Sequence, residues 1–257
     1  MSAIHKSLLR WRKQLQHIYV VTSEVSNLSN DLNQYSKHIE LLVSNGTVQA
    51  SRVSNEGGRV FTTLAKELSR VPSEIKVNVN EINTILGDLT RYSTESLNIV
   101  RRLSQYLSSL YIIYMNHNED DNFNLNMLMK ASFFIRSAGK NNFSEIEKHN
   151  LEILIERYST NYKNLIEVVH NSSAIIQKSI LRIKELKNTG LMTQYMGLNV
   201  ASEAVKFEGA EYFTVLSHDV RSLMDKFMDK IRNIDDLLES EQKQIKELLR
   251  YQSQVSA

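Results

Sequence analysis

Few side chains in this chain stand where chemistry needs them. His218 is followed by Asp219, an imidazole beside a carboxylate, but no serine or cysteine partner is apparent to complete a nucleophilic dyad. His117, Glu119, Asp120 and Asp121 offer cation ligands. Their run lacks the spaced oxygens and the glycine of a calcium loop, so it reads as a polar connector. No cysteine occurs in 257 residues, which excludes disulfides and thiolate chemistry. No glycine-rich phosphate loop is present. The expectation is a protein that is not an enzyme and takes no metal or cofactor.

The elements that would position any site are helices. One proline and eight glycines, without alternating β-rich segments, exclude a sheet protein. A formal charge of +2 asks for neither nucleic acid nor an acidic ligand. The N-terminus has no apolar signal core, and no run of about 18 apolar residues exists to span a bilayer. The run at residues 110–115 is far too short. The chain reads as soluble, and its lack of cysteine fits a reducing cytoplasm. Lys6, Arg10, Trp11, Arg12 and Lys13 read as a solvated helix end in preference to a membrane contact.

Apolar residues recur at alternating steps of three and four over long distances. A first helix runs from about Ile4 to Val53 on a seam of Leu8, Trp11, Leu15, Ile18, Thr22, Val25, Leu28, Leu32, Tyr35, Ile39 and Leu42. The repeated step of three at Val25 to Leu28 predicts local overwinding. The Asn55-Glu56-Gly57-Gly58 sequence predicts a break that uses glycine's access to positive φ. A second seam starts at Phe61 and passes Leu64, Leu68, Val71, Ile75, Asn78, Ile82, Ile85, Leu89, Tyr92, Ser96, Ile99, Leu103, Tyr106, Leu110 and Ile113. Pro72 predicts a bend in it near Leu68. Residues 116–142 form a polar linker with a short amphipathic helix over 125–137. Ser144 and Glu147 then make a capping box that starts a third helix. A fourth follows from about Ala210, with steps that drift towards four through Phe213, Leu216, Val220, Leu223, Phe227 and Ile231.

The two helical hairpins carry versions of one pattern. Asn45 and Asn199 open small-residue runs, Glu56-Gly57 and Glu208-Gly209 follow, and Phe61 and Phe213 restart the apolar rhythm. Beyond them Leu64, Leu68, Val71 and Ile75 fall opposite Leu216, Val220, Leu223 and Phe227, and Glu67 falls opposite Asp219. The second of these stretches, with Leu198, Asn199, Ala201, Glu203, Ala204, Lys206, Glu208, Phe213, Val215, Asp219, Val220, Arg221 and Leu223, resembles the signalling hairpin tip of bacterial methyl-accepting chemotaxis receptors. The first keeps a degenerate version.

Receptors of that family pair two hairpins from two chains into a four-helix bundle. The resemblance implies that this chain does so alone. The fold expected is all-α, an elongated antiparallel four-helix coiled-coil bundle of two tandem hairpins: residues 1–115 with a tip at 44–61, and 143–257 with a tip at 198–213. Arms of about 50 residues would span roughly 75 Å. The chain would be a monomer that imitates the receptor dimer.

The resemblance further implies a signalling or modulator protein that binds the CheW adaptor and the CheA histidine kinase through its tip, with other chemoreceptors as further partners. Partner-binding positions carried over are Tyr195, Asn199, Glu203, Lys206, Val215 and Arg221 in the second tip, and Leu41, Asn45 and Arg52 in the first, beside Gln49 and Thr63. The alternative is a receptor-derived scaffold that has lost kinase coupling, which Gln49, Glu211 and Tyr212 favour as departures from the family pattern. Methylation is not expected, because the nearest triplet, Ser240-Glu241-Gln242, lies too close to the tip.

Overall fold

Side-chain burial along each helix fixes the seam that packs. In a computed structural model of the chain, described here for residues 3–53, 55–117 and 144–255, every described element is helical. They are α1 (Ala3–Ala50), α2 (Asn55–Leu68), α3 (Val71–His117), α4 (Glu145–Ala204) and α5 (Glu211–Val255). The fold is an all-α helical bundle. The expected short helix at 125–137 and the ligand run at 119–121 lie outside the described residues.

The α1 seam differs from the expected one. Burial follows Val25, Ser29, Leu32, Ser36, Ile39, Val43, Gly46 and Ala50, an unbroken alternation of four and three. Leu28, Tyr35 and Leu42 flank it, half-buried. The overwound step therefore disappears: a search for large apolar residues passes over small ones that the core uses. The α2–α3 seam likewise takes Ala65, Val79, Leu86, Ser93, Val100 and Leu107, while Leu64, Asn78, Ile85, Tyr92 and Tyr106 flank it. Asn78 is thus not a core register residue; its amide bonds back to the Glu74 carbonyl at 3.0 Å. In α5 the seam runs through Phe213, Ser217, Val220, Met224, Phe227, Ile231, Ile234, Leu238 and Glu241, so the expected drift towards steps of four is absent.

The breaks also have particular causes. Glycine 57 and glycine 58 lie inside the first turn of α2, and among the described residues only Gly209 has a positive φ, 79°. The chain turns earlier, at residues 51–53, where the Arg52 N–H bonds to the Gln49 carbonyl at 2.9 Å. Space, in place of φ, accounts for the glycine pair. A Cβ on Gly57 would lie 2.9 Å from the Phe207 ring, and one on Gly58 would lie 2.7 Å from the Ala50 carbonyl oxygen. The break expected from Pro72 is present: α2 stops at Leu68, α3 resumes at Val71, and Pro72 is the second residue of the new helix, where its missing N–H is tolerated. The capping box at α4 forms as read, with Ser144 N–H to Glu147 Oε2 at 2.8 Å and Glu147 N–H to Ser144 Oγ at 3.3 Å.

The chain divides into two compact units, each drawing on segments from both halves of the sequence. One comprises Met1–Val20, Leu89–Ala174 and Gln242–Ala257. Its core includes Leu8, Trp11, Leu15, Leu103, Leu107, Leu151, Tyr158, Leu165 and Ile245. The other comprises Val21–Asp88 and Ile175–Glu241, and holds both tips.

In this second unit each of the four long helices contacts two neighbours. Against α1 lie α3, through Ser36 Oγ donating to the Pro72 carbonyl at 2.8 Å, and α5, through Lys230–Asp31 at 3.0 Å. Against α4 lie α3, through Arg182–Glu81 at 2.6 Å, and α5, through Gln194–Asp225 at 2.7 Å. Successive contacts run in opposite chain directions in every pair: Asn30–Asn83 with Ser36–Pro72, and Asp31–Lys230 with Tyr35–Phe227. The same holds for Glu81–Arg182 with Glu74–Thr189, and for Gln194–Asp225 with Gly197–Ser217. All four neighbour pairs are therefore antiparallel.

Small residues let these helices close on large ones. A Cβ on Gly190 would meet Met228 Sδ at 2.6 Å and Phe227 at 3.2 Å, and one on Gly46 would meet Leu216 at 2.8 Å. Knob and hole are thus shared between helices.

Candidate functional site: the paired hairpin tips

The tips are built on an aromatic stack. Phe61 of α2 and Phe213 of α5 lie parallel, 3.8 Å between centroids and 5° between planes. Phe207, in the turn between α4 and α5, meets Phe61 edge-on at 6.0 Å, and Tyr212 meets Phe213 edge-on at 5.7 Å. Both stacked rings are buried. In the second tip α4 ends at Ala204, Gly209 takes the left-handed conformation with open space around its α-carbon, and the Phe213 N–H bonds to the Ala210 carbonyl at 2.9 Å. Glycine is placed there for φ.

Outside this core the two tips repeat each other in detail. Lys206 Nζ reaches Glu203 Oε1 at 2.6 Å where α4 gives way to the tip of hairpin two. In hairpin one Arg52 Nη1 donates to Gln49 Oε1 at 3.3 Å. The backbone matches: Arg52 N–H to Gln49 carbonyl at 2.9 Å, Lys206 N–H to Glu203 carbonyl at 3.0 Å. Both side-chain pairs are local and solvated, so each contributes at most about 0.5 kcal/mol to stability. They orient charge at the surface and do little to hold the fold.

The expected partner-binding residues all belong to this unit. Asn45, Arg52, Asn199, Lys206 and Arg221 are exposed, and Glu203 is half-buried. Leu41, Tyr195 and Val215 are exposed apolar side chains at 63%, 62% and 58%. Arg221 runs beside α4, its Cγ 3.0 Å from where a Cβ on Gly197 would stand. Leu41 lines a shallow groove of about 340 Å³ between α1 and α5, with His38, Leu42, Asp219, Ser222, Leu223 and Lys226. His218 and Asp219 are exposed neighbours with Nδ1 3.6 Å from Oδ1. Glu241, of the triplet nearest to a methylation site, is buried.

The sequence reading missed a stripe on α4. Leu191, Tyr195 and Leu198, with Val205 just past the end of the helix, are all exposed, at steps of four, three and seven with Ser202 at the position between the last two. That is a second heptad line, turned away from the buried seam of Gly190, Thr193, Gly197, Val200 and Ala204. The matching line running down α1 is Lys37, Leu41, Ser44, Val48 and Ser51, of which Leu41 and Val48 are apolar and exposed. The stripe becomes visible once the small-residue seam is assigned, because Leu191, Tyr195 and Leu198 then fall off it.

Among the described residues no three metal-ligating side chains converge, and no helix is long and apolar enough to cross a membrane. No protein-family model and no curated protein gives a significant match to the chain.

Proposed function

We propose that this chain is a non-enzymatic interaction protein that docks a protein partner through its second hairpin tip. The observation that carries the reading is the exposed heptad stripe Leu191, Tyr195, Leu198 and Val205, which ends beside the Glu203–Lys206 pair. An apolar line supplies area to bury, and a rim pair of opposite charges sets orientation and rejects wrong partners. The first tip shares the bond from the N–H of Arg52 to the Gln49 carbonyl, but it carries an amide at Gln49 and only two exposed apolar side chains, Leu41 and Val48, against four on the corresponding line, so it is the weaker surface.

The resemblance of the second tip to chemotaxis receptors supplies the partner class: a CheW-type adaptor or CheA-type kinase, with this chain as a signalling or modulator protein in one-chain form. The test is titration of the purified chain against the CheW- and CheA-type proteins of its host, as wild type and Glu203→Arg. Binding that the charge reversal abolishes supports the reading. Absence of binding by the wild type replaces it with a scaffold that recognises another protein.

A further inference from the structure

We infer that α2 is a hinged segment that undocks from the bundle as a unit, so the first tip moves while the second stays fixed. The inference does not depend on the identity of any partner.

α2 is a helix of 14 residues, bounded by the turn at residues 51–53 and by the interruption at Ser69–Arg70. A helix this short is marginal by itself, so it exists because one face is packed. That face is Gly57, Phe61, Ala65 and Leu68; Glu56, Arg59, Thr62, Thr63, Lys66 and Glu67 are exposed. Among the described residues its side-chain hydrogen bonds return to its own backbone, Thr62 to the Gly58 carbonyl at 2.7 Å and Thr63 to the Arg59 carbonyl at 3.0 Å. No described polar contact ties α2 to another helix.

Below the interruption the situation reverses. Pro72 cannot donate to the Leu68 carbonyl, so a rung of the helical ladder is lost there, and the backbone is carried across by the Arg70 N–H to the Glu67 carbonyl at 3.2 Å and the Glu74 N–H to the Arg70 carbonyl at 3.1 Å. Its own carbonyl is pinned to α1 by Ser36 at 2.8 Å, and Asn83 adds a second tie to Asn30 at 3.1 Å. The facing helices have no such joint: α4 is continuous for 60 residues and α5 for 45. They are joined near the tip by Ser217 donating to the Gly197 carbonyl at 2.7 Å. Opening α2 therefore costs the contacts of Phe61, Ala65 and Leu68 and leaves the other three helices held. It uncovers Phe213, a ring that the docked state buries, and frees the edge of the half-buried Phe207.

Hydrogen exchange of the full chain, read by mass spectrometry and corrected for intrinsic rates, tests this. Amides of residues 59–68 should exchange at least about tenfold faster than those of 75–88 and 213–227. Pro72→Ala restores the missing donor and fuses α2 to α3, so it should slow exchange in 59–68 by about tenfold with the other segments unchanged. Equal protection of α2 and the facing part of α5 would overturn the inference. So would fast exchange in α2 that Pro72→Ala leaves as it was, since the joint would then lie elsewhere.

Discussion

Alanine at Gly190 and at Gly87 should move stability in opposite directions, although both glycines sit within helices of the same compact unit. At Gly87, in α3, an added Cβ meets nothing within 4 Å. The change there brings only the helix-propensity gain of about 1 kcal/mol. At Gly190 the same gain is set against a core contact. The new Cβ would stand 2.6 Å from Met228 Sδ and 3.2 Å from two carbons of the Phe227 ring. The methionine end can swing aside. The ring cannot, because Phe227 is fully buried and held edge-on to Tyr35 at 6.1 Å and 81°. Overpacking of this kind costs about 1–3 kcal/mol, which leaves a net loss of about 1 kcal/mol. With a urea dependence of about 3 kcal/mol per molar, the unfolding midpoint followed by far-UV circular dichroism should rise by about 0.3 M for Gly87→Ala and fall by about 0.3 M for Gly190→Ala. An increase for Gly190→Ala equal to that for Gly87→Ala would refute the claim that this glycine is there for close approach.

Three further outcomes follow from the geometry. Ser36→Ala removes a buried donor to the Pro72 carbonyl and should cost about 1 kcal/mol, near the low end because a helical carbonyl keeps its backbone partner; urea unfolding reads it. Ser144→Ala breaks the capping box on α4 and should cost about 1 kcal/mol, with exchange accelerated over 145–150 and unchanged over 211–227. Burial raises the Tyr158 phenol above its ordinary 10.0, and burial raises Tyr162 as well. The unfolded chain therefore releases protons that the folded chain keeps, and stability should be level below pH 10 and fall above it. Unfolding titrations between pH 8 and 11 check the sign; stability that rises above pH 10 contradicts it.

How far the sequence could be read depended on residue size. The helical hairpins, the capping box at Ser144, the break at Pro72 and the equivalence of Phe61 with Phe213 were legible because each rests on a local signal: a cap, a missing donor, a repeated motif. The seams were legible in period and wrong in register at several points. Ser29, Ser36, Ala65, Ser93 and Ser217 are buried on the seams, and hydropathy alone ranks them below Leu28 or Tyr92. Gly57 and Gly58 were assigned to a positive-φ turn because sequence does not distinguish a glycine needed for conformation from one needed for space. Only the Phe207 ring and the Ala50 carbonyl next to them make that distinction. The α4 stripe stayed hidden for the related reason that inner and outer heptad lines look alike until the buried one is known.

The proposal that the second tip is the docking surface and the first the weaker one is put to the test by placing one charge on each. Tyr195→Glu and Leu41→Glu alter exposed side chains at matching positions of the two hairpins, so neither should disturb the fold. Affinity for the CheW-type adaptor, measured by calorimetry, should fall at least about tenfold for Tyr195→Glu and stay within about twofold of wild type for Leu41→Glu. Equal losses for the two variants, or a loss confined to Leu41→Glu, would contradict it.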